Sequence, residues 1–385
     1  MNETGDAAPV DPGRTTPLPL AGLRILDLSW LLPGPFASLL LADLGADVVK
    51  VERPQSGDYL RDILPSMFEL VNRGKRSIAI DLKDPASLAE FRRLVATADI
   101  VMEGFRPGVA DRLGVGYDAL SAVKPDLVYL SISGYGQTGP YADMPGHDIN
   151  YLAAAGALSV PAVWGEPPRR SGLPVADLAS AMYAALNIVA AIRRRDQTGE
   201  GSRIDIAIAD SALHWSQVRI AGVDPERPHW HHVHPANDIF ETADGRGLSL
   251  ALVENKFLRN FCLAAGRPDL IETFAPAEEI SGDLAGAALL KTELARLVGS
   301  RALAEWTRLL AGADVPFAPV NRPSDIEADP HFSARGMTGR MSMPVPGGLG
   351  GHLARSHAPG LGEHSDEIRA EMRPGTTGRS DRGTS

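Results

Sequence analysis

The sequence is short of cysteine and of long apolar runs. Cys262 is the only cysteine in 385 residues, which excludes an internal disulfide and a cysteine-rich metal site. The longest apolar helical stretch, residues 178–192, is interrupted by Asn187 and falls short of the roughly 20 residues that a bilayer requires. We therefore expect no membrane-spanning segment, and a reducing compartment.

Positive charge is also scarce. Lysine and arginine number 38 against 48 acidic residues, and the formal net charge of -10 argues against non-specific binding to nucleic acid. An anionic ligand would have to be held by a few placed arginines. Residues 1–17 lack a cationic segment followed by an apolar run, so we interpret them as a disordered leader rather than a signal peptide. The expected location is the cytoplasm.

The N-terminal part of the sequence alternates apolar strands with helices. Strands are predicted at 22–28, 46–52, 77–81, 100–103 and 127–131, and helices at 36–44, 85–98 and 117–123. Asp84 is the expected N-cap of the second helix. This alternation predicts an α/β fold with a Rossmann-like parallel sheet covered on both faces.

A dinucleotide site is one alternative for this sheet, because the acidic Glu52 ends the second strand. Only Gly34 lies in the first turn, whereas a pyrophosphate-binding turn requires three glycines in the pattern G-x-G-x-x-G. The pattern therefore favours a sheet that serves as a scaffold over a nicotinamide-dependent enzyme.

Residues 145–177 carry a titratable group near each end. His147 and Asp177 could serve as two proton carriers on either side of a substrate carbon. A long helix is predicted from residue 178 to about 195, and its expected apolar face consists of Met182, Leu186, Val189 and Ala190. Because Asp177 would lie where this helix begins, we expect free backbone N–H groups beside it and a preference for its ionised form.

Residues 221–236 are rich in proline and histidine and show little periodicity, so we interpret them as a linker between domains. The alternative is a metal site formed by His229, His231, His232 and His234. No carboxylate or cysteine follows at a typical ligand spacing, so a solvated linker rich in histidine is preferred.

A smaller α+β region is predicted after this linker. Asp244 and Gly245 form the tight turn of a hairpin with strands at 239–242 and 247–253. Helices are expected at about 255–265, 285–299 and 302–312, an edge strand at 315–320 and a further strand at 337–344. The tail beyond about residue 373 is expected to be mobile.

Short motifs spread over about residues 18–340 resemble those of the CaiB/BaiF family, also called family III CoA-transferases. The motifs lie at residues 34–35, 44–54, 72–77, 81–83, 104–108, 134–140, 146–148, 176–177, 197–199, 242–245 and 318–320. The resemblance implies an acyl-CoA thioester as substrate, no cofactor beyond that CoA, and an interlocked homodimer in which each chain threads through the other. It also implies a large CoA-binding domain of residues 18–220, completed by about 335–375, with a small domain of residues 237–334 inserted.

The resemblance assigns six positions to CoA binding. Arg53, Arg106 and Arg112 match arginines that meet the nucleotide portion of CoA, and the guanidinium fork suits phosphate. The backbone positions that line the adenine are matched by Ile80, Leu82 and Gly104. For Arg106 and Arg112 the alternative is an exposed side chain without a role in binding.

The resemblance also implies catalytic residues, whose roles differ between the two branches of the family. In the 2-methylacyl-CoA racemases, an aspartate and a histidine move the proton alpha to the thioester carbonyl, and a glutamate pairs with the histidine. Asp177, His147 and Glu254 match these three positions. In the CoA-transferases, the matching aspartate is a nucleophile that forms an anhydride and then an aspartyl-CoA thioester.

Each candidate has a structural alternative. Asp177 could cap its helix, His147 could be a buried hydrogen-bonded histidine, and Glu254 could be a carboxylate at a helix start. Asp148 and Asn150 are interpreted as hydrogen-bonding residues of the scaffold.

The intact motif of residues 146–151 favours an acyl-CoA racemase, an isomerase, and leaves the CoA-transferase as the alternative. Residues 178–182 are closer to the transferase pattern, because racemases usually have a glycine-rich run there. Against the transferase, the small domain lacks the glycine-rich loop with which oxalate and formate transferases shield their intermediates. A third possibility is a relative that binds acyl-CoA without turnover.

Overall fold

The computed structural model describes residues 17–221, 226, 233–273, 284–339, 346–347 and 357–373. The chain divides into two compact units, which are described separately. The first combines Met1–Asp143, Ser180–Ala207 and Gly339–Ser385, and the second combines Met144–Ala179 with Ile208–Thr338. The predicted small domain of residues 237–334 falls within the second unit, which also includes residues 144–179 and 208–220.

The first unit is built on a six-stranded sheet whose strands are parallel, which confirms the predicted parallel sheet. Its strands are β1 (Arg24–Leu28), β2 (Asp47–Glu52), β3 (Arg76–Ala79), β4 (Ile100–Glu103), β5 (Val128–Ser133) and β6 (Ser202–Ala207). Their order is β3-β2-β1-β4-β5-β6, so the direction of strand addition reverses between β1 and β4. Every residue of β4 and β5 is buried, as expected of parallel strands covered on both faces.

Helices connect these strands and also make up much of the second unit. In chain order they are α1 (Pro33–Asp43), α2 (Leu60–Ile63), α3 (Pro65–Asn72), α4 (Pro85–Val95), α5 (Val109–Arg112), α6 (Tyr117–Ser121), α7 (Asp148–Ala154), α8 (Val175–Thr198), α9 (Ile208–Ile220), α10 (Asn255–Ala264), α11 (Asp269–Thr273), α12 (Leu284–Val298), α13 (Leu303–Leu310), α14 (Pro323–Ile326), α15 (Pro330–Ala334) and α16 (Ser365–Glu371), with a 3₁₀ turn at Ala157–Ser159. Asp84 accepts a hydrogen bond from the backbone N–H of Ser87 at 2.8 Å, which confirms it as the N-cap of α4. The core beside the sheet includes Phe91 of α4 and Ile368 of α16.

The second unit contains a three-stranded antiparallel sheet. Its strands are β7 (Asn237–Glu241), β8 (Gly247–Ala251) and β9 (Phe317–Pro319), in the order β7-β8-β9. The predicted hairpin and its turn are confirmed, with Gly245 at φ 69°, and β9 lies at an edge as its prolines indicated. Phe240, Leu250, Phe261 and Trp306 belong to the core of this unit, where the last two rings stack at 5.5 Å.

The apolar face that was predicted for α8 is exposed in the single chain. Met182 is 50% exposed, Leu186 62% and Val189 39%, and Ala190 is exposed as well. The helix buries Ala181, Ala184 and Ile188 instead. Because α8 is apolar on more than one side, its periodicity alone could not show which side faces the core.

Helix α8 also bears on the question of a membrane. Among the described residues, it is the one helix whose length and composition would allow it to cross a bilayer, and half of its most apolar window is buried within the protein. The helix begins at Val175 and ends at Thr198, so it extends a few residues beyond both ends of the predicted helix of residues 178 to about 195.

Several expectations fall outside the described residues. They concern the leader, the tail beyond residue 373, His229, His231 and His232 of the predicted linker, and residues 340–344 of the last predicted strand. Residues 337–339 of that strand are described and are not in a strand. Among the described residues, no group of three or more histidine, cysteine, aspartate or glutamate side chains could hold a metal ion.

Candidate active site

A cavity of about 200 Å³ opens in the first unit, where four neighbouring strands end. It is lined by Leu28, Trp30, Val51, Glu52, Arg53, Gln55, Ile80, Asp81, Leu82, Lys83, Phe105 and Leu113. Except for Leu113, which follows α5, these residues lie at or just after the carboxyl ends of β1, β2, β3 and β4. Ligands of open α/β sheets bind at this edge, beside the point where the strand order reverses.

Buried charges hold the turn between β1 and α1 against this cavity. Lys50 lies 2.9 Å from Asp58, and both side chains are fully buried. The Lys50 ammonium also donates to the carbonyl oxygen of Ser29 at 2.9 Å, and Asp58 accepts from the backbone N–H of Leu31 at 3.2 Å. The turn that carries Trp30 is therefore fixed on both sides of that residue.

A second buried ion pair lies in the same unit. Lys75 donates to Asp27 at 3.2 Å, and neither side chain is exposed. Burial alone would raise the pKa of Asp27, but the charges of Lys75 and Lys50 and the hydroxyl groups of Ser29 and Ser38 lower it to about 2. The carboxylate is thus held ionised inside the protein.

Aromatic rings form one wall of the cavity. Trp30 makes edge-to-face contacts with Tyr59 at 5.0 Å and with Phe105 at 6.0 Å. The guanidinium of Arg53 lies 4.6 Å from the centre of the Trp30 ring. The backbone N–H of Phe105 donates to Glu103 at 2.7 Å, which holds the loop after β4 in place.

The cavity includes three of the six predicted CoA-binding residues, namely Arg53, Ile80 and Leu82. The other three are close neighbours in the sequence of cavity residues. Gly104 and Arg106 flank Phe105, and Arg112 precedes Leu113. Within the described part of the chain, the side chains of Arg53, Arg106 and Arg112 form no hydrogen bond or ion pair, so all three remain available to an anion.

Trp30, Lys83 and Phe105 are cavity residues that the sequence analysis did not select. Each follows the carboxyl end of a strand within a few residues, and that position was the signal that could have identified them. Lys83 adds a second exposed cation beside Arg53, without an ion-pair partner in the described residues.

The predicted catalytic residues lie in the second unit. His147 is the exposed N-cap of α7, and its backbone N–H donates to the Asn150 side chain at 3.0 Å. Glu254 is the exposed N-cap residue of α10. Although both residues are described, they form no hydrogen bond or ion pair with each other, so the expected pairing is not formed in this chain.

Helix α8 begins earlier than predicted, so Asp177 is the third residue of its first turn. The residue before the helix is Pro174, which has no side chain that can cap it. Asp148, the first residue of α7, caps the helix instead. One of its carboxylate oxygens, Oδ1, accepts hydrogen bonds from the backbone N–H groups of Ala176 at 2.8 Å and Asp177 at 3.3 Å.

The prediction of free N–H groups beside Asp177 was therefore wrong. Besides the two that Asp148 accepts, the N–H of Val175 donates to Leu173 at 2.9 Å and the N–H of Leu178 donates to Pro174 at 3.1 Å. The missing acceptor in the sequence analysis was a side chain 29 positions before Asp177.

The expected preference for an ionised Asp177 is also contradicted. Burial, and then the negative charge of Asp148, raises the pKa of Asp177 to about 7. These effects outweigh the positive end of the helix, whose first N–H groups already bind Asp148. Near neutral pH, Asp177 therefore exists as a mixture of carboxylic acid and carboxylate.

Known proteins resemble this chain over nearly its whole length. Residues 20–370 match the model of the family described as CoA-transferase family III. The succinyl-CoA–L-malate CoA-transferase beta subunit of Chloroflexus aurantiacus is 32% identical over 408 residues, covering 94% of this chain and 95% of the relative. The succinate–glutarate CoA-transferase of Agrobacterium fabrum is 34% identical over 394 residues, covering 92% and 96%.

A solved structure shows the same fold. The crystal structure of a CaiB/BaiF family protein from Brucella suis has a TM-score of 0.80 and 30% identity, and the match covers 93% of this chain and all of that chain. The two relatives from Chloroflexus and Agrobacterium are named as CoA-transferases, and neither is named as a racemase.

Proposed function

The chain belongs to the family III CoA-transferases, and on that premise we propose that it transfers coenzyme A from an acyl-CoA thioester to a free carboxylic acid. The observation that carries the proposal is the environment of Asp177, a partly buried carboxylate in the first turn of α8 whose pKa is raised to about 7. Perturbed carboxylates of this kind are typical of catalytic sites.

Asp177 acts as the nucleophile in this proposal. Its carboxylate attacks the thioester carbonyl, forms a mixed anhydride and releases the CoA thiolate. The thiolate then attacks the aspartyl carbonyl of that anhydride, which gives an aspartyl-CoA thioester and frees the donor acid.

The second half of the reaction reverses these steps with the acceptor. Its carboxylate attacks the aspartyl-CoA carbonyl, forms a new anhydride and releases the thiolate. Attack of the thiolate on the acceptor carbonyl gives the product thioester and restores the Asp177 carboxylate. No oxidant, metal or external proton donor is needed for the atoms to balance.

The raised pKa of Asp177 suits this chemistry in two ways. A more basic carboxylate is the better nucleophile, and a pKa near the working pH keeps a large fraction of it ionised. A carboxylate with the ordinary pKa would be fully ionised but less reactive.

The cavity of the first unit is the proposed site of the CoA nucleotide. Its apolar side chains, among them Ile80 and Leu82, can cover a base, while Arg53 and Lys83 offer two unpaired cations to phosphate. Arg106 and Arg112 would add further positive charge beside this cavity. An acidic protein has to concentrate its cations in this way to hold a polyanion.

The acyl groups are proposed from the relatives. Those from Chloroflexus and Agrobacterium are named for succinyl-CoA with malate and for succinate with glutarate, and a third from Acetobacter aceti is named for acetyl-CoA with oxalate. Short dicarboxylic acids are therefore the first class of acceptor to test.

We also propose that the chain forms the interlocked homodimer that the resemblance implied. Support comes from the exposed apolar side chains of Met182, Leu186 and Val189 along α8. Contiguous apolar side chains on a protein surface mark interaction sites.

The racemase that the sequence analysis preferred is less well supported than the transferase. The relatives named above are CoA-transferases, and the pairing of His147 with Glu254 on which the racemase depended is not formed within the chain. The retained His147 and Asp177 are what remain in its favour.

One experiment separates the possible activities. The protein is incubated with succinyl-CoA and each of malate, glutarate and oxalate, and the CoA esters are identified by mass spectrometry. We expect a new CoA ester that depends on the acceptor acid, and trapping of Asp177 as a hydroxamate by hydroxylamine. Asp177→Asn should abolish both, whereas Asp196→Asn, near the other end of the same helix, should leave both intact.

Two outcomes would contradict the proposal. Incorporation of deuterium alpha to a 2-methylacyl-CoA carbonyl in deuterated water, without any acceptor acid, would establish proton transfer instead. Tight retention of CoA with neither reaction would indicate a binding protein.

A further inference from the structure

We propose that Asp148 is a positioning residue for the nucleophile, which fixes the first turn of α8 and places a second negative charge beside Asp177. The inference rests on the proposed function, because it assigns a role to a neighbour of the group that reacts. The two residues are brought together by a contact between α7 and the first turn of α8.

Asp148 completes the start of α8. Pro174 cannot cap α8, and Asp148 Oδ1 accepts the N–H groups of the second and third residues of the helix. Asp177 is the third of these residues, so its own backbone is held directly by Asp148. If the Asp148 side chain moved away, the first turn of α8, which carries Asp177, would lose these two hydrogen bonds.

The carboxyl group of Asp148 is buried. Asp148 is only 5% exposed. Its second carboxylate oxygen, Oδ2, is buried and has no hydrogen-bond partner in the described structure. No lysine, arginine or histidine of the described chain forms an ion pair with it. Burying an unpaired carboxylate is costly, and a neutral asparagine or serine could accept the same N–H groups.

A cap alone would therefore not require an aspartate at residue 148. The carboxylate of Asp148 adds a negative charge next to Asp177. Burial is the larger cause of the raised pKa of Asp177, and this charge is the second. Two carboxylates in close proximity disfavour ionisation of each other. The consequence for the reaction is a more basic and more reactive nucleophile.

The test compares Asp148→Asn with Asp148→Ala. The asparagine keeps an oxygen that can accept the N–H groups but loses the charge, so we expect the acid limb of kcat/KM to move to lower pH by about one unit. The plateau rate should also fall, while the KM for acyl-CoA stays within about twofold. Alanine also removes the cap, and we expect a loss in kcat of roughly 100-fold, as for a small misplacement of a reacting group.

The matched control is Asp329→Asn. Asp329 uses one oxygen to accept the N–H groups of His331 and Phe332 at the start of α15, in the same way as Asp148 does for α8. It has no place in the proposed chemistry, so its substitution should leave the pH profile unchanged. His147 precedes Asp148 in the chain and can also titrate. The pH profiles of Asp148→Asn and Asp148→Ala are therefore measured again in proteins that also carry His147→Gln.

The outcomes separate the two proposals. If Asp148→Asn has the pH profile and plateau rate of the unsubstituted protein while Asp177→Asn is inactive, Asp148 is a structural cap and this inference is wrong. If Asp177→Asn is active, the proposed function itself fails. For the case in which the Asp148 variants do not fold, titration of the unsubstituted protein by ¹³C NMR of aspartate carboxyls supplies the answer.

That titration should show the carboxyl group of Asp177 losing its proton near pH 7. Titration of Asp177 in the ordinary aspartate range would overturn the inference.

Discussion

The guanidinium of Arg53 lies 4.6 Å from the centre of the Trp30 ring. Trp30 is itself held by the buried ion pair of Lys50 and Asp58 through the residues on either side of it. The cation that is proposed to meet CoA therefore rests on an aromatic ring whose backbone is anchored in the interior. Such an arrangement restricts the positions of Arg53 before a ligand binds.

Replacement of Arg53 by alanine should weaken CoA binding by about 1.5 to 3 kcal/mol, roughly a 10- to 150-fold rise in Kd, because a charged hydrogen bond to phosphate is lost. Trp30→Ala should weaken CoA binding by about 0.5 to 2 kcal/mol, because Arg53 loses the aromatic ring against which its guanidinium lies. Isothermal titration with CoA measures both. Arg194→Ala, an exposed arginine of α8, is the control, and equal affinities for all four proteins would exclude the cavity as the CoA site.

Asp177 should make the stability of the protein depend on pH. Its pKa is raised from 3.8 to about 7, so the stability linked to its protonated form is complete below about pH 4 and is lost as the pH rises through 7. Asp177→Asn does not titrate, and we expect it to exceed the unsubstituted protein in stability at pH 8 by about 1 to 3 kcal/mol, with little difference at pH 4. Urea denaturation at both pH values measures this difference, and a constant difference would contradict it.

Lys75→Met should destabilise the first unit strongly. The substitution leaves Asp27 as a fully buried carboxylate without its partner at 3.2 Å, and breaking a buried pair in this way costs about 3 to 5 kcal/mol. The matched control is Lys124→Met, which breaks a more exposed pair with Asp126 and should cost less than about 1 kcal/mol. Similar urea midpoints for the two variants would show that the buried pair is not important for stability.

Leu186→Glu should disrupt the proposed homodimer. Leu186 is 62% exposed on α8 in the single chain, and a glutamate buried at that position in an interface would lose its hydration. Light scattering coupled to size exclusion should show a monomer or a weakened dimer. Arg194→Glu, an exposed position later in the same helix, should retain the native mass, and a dimer of unchanged affinity in Leu186→Glu would place the interface elsewhere.

The parallel sheet could be predicted because its signal is local. Strands such as β4, at Ile100–Glu103, are short apolar runs between helices, and their bounds follow from the residues themselves. The buried ion pairs could not be predicted, since Lys50 and Asp58 are ordinary charged residues until the fold removes water from both.

In the candidate site, too, the sequence identifies residues but does not reveal the effects of the surrounding fold on them. Asp177 could be identified from its motif, but its ionisation could not, because the dominant influences are burial and a carboxylate 29 positions away in the chain. The side of α8 that is buried could not be predicted for a related reason. A helix with alanine on one side and large apolar residues on the other offers two faces that could be buried, and only the complete fold distinguishes them.

Helix α8 cannot complete its own beginning, since Pro174 offers no cap and the required acceptor belongs to α7. The order of the turn that carries Asp177 therefore depends on a tertiary contact and not on the sequence of the helix alone. Until α7 docks, the first N–H groups of α8 lack this acceptor, and an isolated peptide of residues 175–198 should fray at its N-terminal end.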